Sequence, residues 1–131
     1  MKYIYPAIFR KDKELKAAWC VEFPDVEGAA TCGYSLYEAL EMAEDALAGM
    51  LVCWEDFKAG VLTDRNGNKL EIKNRIVDPT PIEQVKAEPD EFSTSAFVTL
   101  IKADTDAYRK MLAEMKQAKA DKSTTATSGA A

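Results

Sequence analysis

Histidine is absent from the 131-residue chain, and cysteine, proline and glycine are sparse, at three, five and six residues. Without histidine the chain lacks the commonest general base and the commonest neutral metal ligand. Cys20, Cys32 and Cys53 are scattered, and no pair of them has the spacing of a zinc site. No apolar run approaches the length of a membrane span. The long apolar segment of a secretory signal is missing too, because Met1-Lys2-Tyr3-Ile4-Tyr5 runs straight into a strand pattern. The expectation is a cytoplasmic protein with reduced thiols and no membrane association. Basic residues are in the minority, 17 Lys and Arg against 22 Asp and Glu, for a net charge of −5. That balance argues against a phosphate-dominated nucleic-acid interface, which needs clustered Lys and Arg. It either keeps the protein soluble or suits a basic partner, whose encounter it would speed.

What is present is ordinary globular composition, 47% hydrophobic and 30% charged. The length suggests one domain, enough to bury a core without disulfides or metals. The patterns place that domain over residues 1–120, with a small polar tail over 121–131 expected to be disordered. Tyr3 to Phe9 reads as a strand, and Pro6 inside it predicts an edge position or a bulge, since proline cannot donate to a ladder. Ala18 to Phe23 is a second strand, with Trp19, Val21 and Phe23 on one face and Cys20 and Glu22 on the other. Pro24-Asp25 and Gly28 make a turn, and Ala29 to Tyr34 is a third strand, antiparallel to the second.

The plainest element begins at Ser35-Leu36-Tyr37-Glu38, a capping box in which the Ser hydroxyl takes the Glu38 N–H and the Glu carboxylate reaches back to the Ser N–H. Leu36, Leu40, Ala43, Leu47, Met50, Trp54 and Phe57 then recur at spacings of four and three, an apolar stripe along one helix. Gly60 is placed to end it. Asn66-Gly67 predicts a small hairpin with a type I′ turn. Thr80-Pro81-Ile82-Glu83 predicts one short helical turn. Ser95 to Lys102 reads as a strand buried on both faces. Asp104 or Thr105 caps a second helix from Asp106 to about Ala120, with Tyr108, Met111, Leu112 and Met115 as its stripe. The fold class is α+β: a three-stranded antiparallel sheet plus a fourth strand, a long helix packed on one face, and a C-terminal helix. If the last strand joined the first in parallel, the long helix would be a right-handed crossover.

Three segments in order carry a resemblance. Tyr3-Ile4-Tyr5-Pro6-Ala7-Ile8-Phe9 is followed by Trp19-Cys20-Val21-Glu22-Phe23-Pro24-Asp25-Val26-Glu27-Gly28, then by Thr31-Cys32-Gly33-Tyr34-Ser35-Leu36-Tyr37-Glu38-Ala39-Leu40. This N-terminal part, to about Phe57, resembles the HicB antitoxins. Pro79-Thr80, and the run Phe97-Val98-Thr99-Leu100-Ile101 with Asp104 and Tyr108, resemble later parts of the same family more faintly. The resemblance implies a partial ribonuclease H-like fold. It also implies binding to a small basic toxin, HicA, with a double-stranded-RNA-binding fold, which cleaves mRNA and is neutralised when its RNA surface and catalytic His are covered. Family members usually add a C-terminal DNA-binding segment. Only a short tail follows Ala120 here, so direct DNA binding by this chain is not expected. A solitary HicB-like protein without a toxin is equally compatible.

The candidate partner-binding residues are Trp19, Glu22, Phe23, Asp25 and Glu27. Trp19 is either core or an interface anchor. Glu22, Asp25 and Glu27 are either an acidic lip facing a basic toxin or parts of a turn. The helical carboxylates are either a solvated face or a site. Phe97, Leu100, Tyr108, Met111 and Leu112 are candidates for a homo-oligomer interface, because one helix and one sheet supply little cover for that strand. Cys20 and Cys32 sit on neighbouring predicted strands and are either buried free thiols, the expected case, or a redox pair. The alternative of another class is a degenerate ribonuclease H-fold, metal-dependent nuclease, which needs several carboxylates converging on two Mg²⁺ ions. Tyr3 to Phe9 and Ser95 to Ile101 carry no acid, so no catalytic residue, cofactor or metal is expected.

Overall fold

The computed structural model describes residues 1–15 and 17–130, with side chains described through residue 122. The elements run β1 (Lys2–Asp12), β2 (Trp19–Glu22), β3 (Ala30–Gly33), α1 (Leu36–Lys58), a 3₁₀ turn (Ile82–Gln84), β4 (Ser93–Asp104) and α2 (Thr105–Ala130). The strands form one sheet in the order β3-β2-β1-β4, and every pairing is antiparallel. α1 lies across one face, and α2 packs back on α1. The α+β class with four strands, a long helix and a C-terminal helix is the one expected. The last strand joins β1 antiparallel, so α1 is not the crossover of a parallel unit. The backbone of α2 continues to Ala130. The expected tail over 121–131 falls, from residue 123 onward, on side chains outside the described residues.

β1 is central, not an edge, and its bulge lies at Lys11/Asp12 rather than at Pro6. Ladder phase explains how Pro6 is tolerated. Thr105 N–H donates to Met1 O and Asp12 N–H donates to Ala18 O. Odd residues of β1 therefore hydrogen-bond to β4 and even residues to β2. Pro6 turns its missing N–H toward β2, whose pairing with β1 begins only at Ile8↔Glu22. Continuing that register would set Pro6 against Pro24, and neither has an N–H to give.

β4 is the edge strand, and this corrects the expectation of burial on both faces. Only Ile101 and Ala103 are buried along it, both on the α1 side, and Leu100 is 48% exposed. Its apolar residues occur on both faces, which by itself does not distinguish a central strand from an edge strand whose outer face is uncovered.

α1 starts on the predicted cap: Ser35 Oγ accepts from Glu38 N–H at 3.1 Å. Glu38 reaches back one residue further than expected, to Tyr34 N–H at 3.2 Å. The buried row is Ala39, Ala43, Leu47, Ala48, Leu51 and Val52. Leu40, Met50 and Trp54 flank it half-buried, while Leu36 and Phe57 are exposed. Leu40, Met50 and Trp54 of the predicted stripe thus line the borders of the seat, and Ala39, Ala43, Leu47 and Leu51 occupy its centre. A Cβ on Gly33 would stand 2.4 Å from the backbone N of Ala39, so helix and sheet touch backbone to backbone there. Tyr5, Ala7, Phe9, Val21, Phe23 and Ile101 complete the core from the sheet. Phe97 stacks on Phe9 and meets Trp19 edge-on, with centroids 5.0 and 5.2 Å apart.

A polar knot joins the ends of the chain to α1. Glu55 Oε2 accepts from Tyr3 Oη at 2.6 Å and from Thr105 Oγ1 at 2.9 Å. Glu55 Oε1 accepts from Arg109, which also pairs with Asp56. Burial acts to raise the Glu55 carboxyl, but hydrogen bonds from Tyr3, Arg109 and Thr105 and the Arg109 charge outweigh it and hold the group below its ordinary range. Asp104, rather than Thr105, caps α2 by accepting from the N–H groups of Asp106 and Ala107.

Residues 61–92 carry one 3₁₀ turn and two isolated bridges, Val26↔Ile76 and Thr63↔Lys69. The predicted hairpin is there in reduced form. Asp64 Oδ1 takes the N–H groups of Asn66 and Asn68, and Gly67 alone has positive φ, +82°. The turn is therefore not type I′, which needs two such residues in succession.

Gly33→Ala is expected to destabilise the protein by about 1–3 kcal/mol, because the clashing atoms are helix backbone and cannot swing aside. Urea unfolding of both proteins measures it. Gly60→Ala, where nothing stands within 4 Å but φ is +73°, reports backbone strain alone.

Candidate partner-binding surface

The turn after β2 uses most of its candidate residues internally. Phe23 is 3% exposed and belongs to the core. Asp25 is 5% exposed, and its carboxylate accepts from Thr80 N–H at 2.8 Å and Thr80 Oγ1 at 2.7 Å. Its carbonyl accepts from Val77 N–H, and Val77 O in turn accepts from Tyr5 Oη. Asp25 thus clips the segment after α1 onto the sheet. The acidic lip does not form as expected: Glu22 and Glu27 are exposed, and Asp25 is not. Glu22 pairs with Arg10 at 2.6 Å. Glu27 exchanges hydrogen bonds with the backbone of Arg75. Trp19 is half-buried and packs with the core against Phe97.

The helical carboxylates, which the sequence leaves as either a solvated face or a site, lie in part on the outer face of α1. Tyr37, Glu41 and Glu44 are exposed at helical spacings of four and three, with Asp45 exposed beside them, on the side of α1 away from Ala39 and Ala43. Tyr34 and Tyr37 are 75% and 74% exposed at the start of that stripe. A shallow cavity of about 410 Å³ continues it, bordered by Glu41, Glu44, Lys102, Tyr108 and Met111. The signal available in the sequence was the charge offset from the apolar stripe, together with two tyrosines flanking a helix cap.

The candidate oligomer residues do not form one patch. Phe97 lies inside the aromatic cluster, and Tyr108 packs against α1 near Gly49. Leu100 projects from the sheet face away from α1, whereas Met111 borders the cavity beside α1. Met111, Leu112 and Met115 are exposed, so the α2 stripe is uncovered. Asp12 and Asp104, which the longer strands add, are both occupied in capping backbone N–H groups. Among the described residues no three His, Cys, Asp or Glu side chains stand close enough to share a metal ion, and no helix is long and apolar enough to cross a membrane. Cys20 and Cys32 are exposed rather than buried, and they face each other across β2 and β3.

Asp25→Ala is expected to destabilise the protein by about 1–3 kcal/mol, since Thr80 loses a buried acceptor. Glu22→Ala and Glu27→Ala are expected to change stability by no more than about 0.5 kcal/mol. Thermal and urea unfolding of the three variants separate the structural carboxylate from the surface ones.

No protein-family model matches the chain, and no curated protein matches it. Among solved structures, the chain superposes with a TM-score of 0.55 on a chain described as "Toxin-Antitoxin complex from Streptococcus pneumoniae". The identity is 21%, and the match covers 82% of this chain and 73% of the other. The two chains share a fold.

Proposed function

We propose that this chain is an antitoxin-type binding protein that neutralises a small basic, mRNA-cleaving toxin of the HicA kind by covering its RNA-binding surface. The observation that carries this reading is the shared fold with a chain of a toxin–antitoxin complex, over 82% of this chain. The three ordered motifs of the N-terminal half support the same family, and the net charge of −5 suits a basic partner. The reading gives the chain binding and no chemistry. It acts in the cytoplasm, without direct contact to DNA. The contact surface is assigned to the outer stripe of α1, with Tyr37 as anchor and Glu41, Glu44 and Asp45 steering approach.

Self-association is assigned to β4. Its even-numbered residues from Ala96 to Lys102 direct their backbone groups away from β1, leaving a long free edge with exposed Leu100.

Expression of the product of the adjacent reading frame is expected to arrest growth, and co-expression of this chain to relieve the arrest. Tyr37→Ala combined with Glu41→Lys and Glu44→Lys is expected to weaken the complex at least about 30-fold, the loss of one anchor and its guiding charges. Absence of any growth-arresting neighbour, or relief unchanged by the triple variant, would go against the assignment. Sedimentation of the wild type is expected to report an oligomer, and Leu100→Lys, a charge at the free edge, to shift it to monomer.

A further inference from the structure

Cys20 and Cys32 are direct partners in the β2–β3 register, and their Sγ atoms lie 2.7 Å apart. The Cys20 backbone hydrogen-bonds toward Arg10 of β1, following the phase set by Asp12 and Ala18. The Cys20–Cys32 pair is therefore a non-hydrogen-bonded pair, in which facing side chains come closest. The Cα separation of such pairs, about 4.5 Å, falls within the span a disulfide can bridge, about 4.4–6.8 Å. Both thiols are exposed. They lie on the sheet face opposite Trp19 and Val21, away from α1, which carries Cys53. A cavity of about 590 Å³, bordered by Arg10, Glu22, Asp90 and Phe92, opens over them. That is a volume in the range of small-molecule sites, about 300–1,000 Å³.

We propose that Cys20 and Cys32 form a reversible modification site, closing to an intramolecular disulfide by exchange with a low-molecular-weight disulfide such as oxidised glutathione. The sulfur–sulfur hydrogen bond, then burial and the neighbouring charges, push the Cys20 thiol up to about 11. One cysteine of the pair gives up its proton, attacks one glutathione sulfur, forms a mixed disulfide and expels one glutathione thiolate. The other then gives up its proton, attacks the sulfur of the first and expels the second. Two protein thiols are oxidised, one glutathione disulfide is reduced to two glutathione thiols, and the two protons released are taken up by the leaving thiolates. Neither the toxin-binding reading nor its failure bears on this chemistry, which needs only the β2–β3 pairing.

The test uses the full chain equilibrated in glutathione buffers of graded composition, quenched with an alkylating reagent and mapped by mass spectrometry. Cleavage after Glu22 and Glu27 separates the two cysteines. The expected result is a Cys20–Cys32 cross-link with Cys53 alkylated, free thiols falling from three to one per chain, and full reversal by reduced glutathione. Cys53→Ser is expected to behave identically, and Cys20→Ser or Cys32→Ser to stop at a glutathione adduct on the remaining thiol of the pair. Accumulation of mixed adducts on the wild type without a cross-link, or cross-links between chains in its place, would overturn the proposal. The wild-type map decides the matter even if a serine variant fails to fold.

Discussion

The seat of α1 on the sheet is the contact on which the remaining structure depends. Small side chains at Ala39 and Ala43, with Leu47 and Leu51 continuing their row, allow the helix to approach until its backbone touches Gly33. Phe9, Val21, Phe23 and Ile101 meet that row from the sheet in one buried core. The seat also decides which side of α1 is left to solvent. Tyr37, Glu41, Glu44 and Asp45 occupy the side turned away from Ala39 and Ala43.

Carboxylates in this protein divide into two populations by what they touch. Glu55 and Asp25 satisfy partners from distant parts of the chain: Tyr3, Thr105 and Arg109 in one case, Thr80 in the other. Each holds together segments that are distant in sequence. A buried carboxylate with all its donors supplied is poorly placed to serve a partner, because desolvation has already been offset internally. The exposed acids on α1 have made no such commitments and keep their charge available for long-range attraction.

Much of the fold was legible because it rests on local rules. The Ser35 cap, the helix to Lys58, the alternation of Trp19, Val21 and Phe23, and the turn at Gly28 each follow from residues close in sequence. The misreadings share a cause. Pro6 indicated an edge because its missing N–H was set against a generic ladder, whereas ladder phase directs it to where no strand pairs. β4 looked buried on both faces because its neighbours were unknown. Asp25 looked like a surface acid because Thr80 lies 55 residues away in sequence.

The sequence by itself determined where helices and turns begin, which strand residues share a face, and the acidic balance of the chain. Those are consequences of dihedral preference, side-chain period and charge, all expressed over a few residues. Tertiary structure alone decided strand order, the separation of structural from available carboxylates, and the pairing of Cys20 with Cys32. Each of these depends on which distant backbone segment lies alongside, and that is settled by the joint packing of helix and sheet rather than by any local preference.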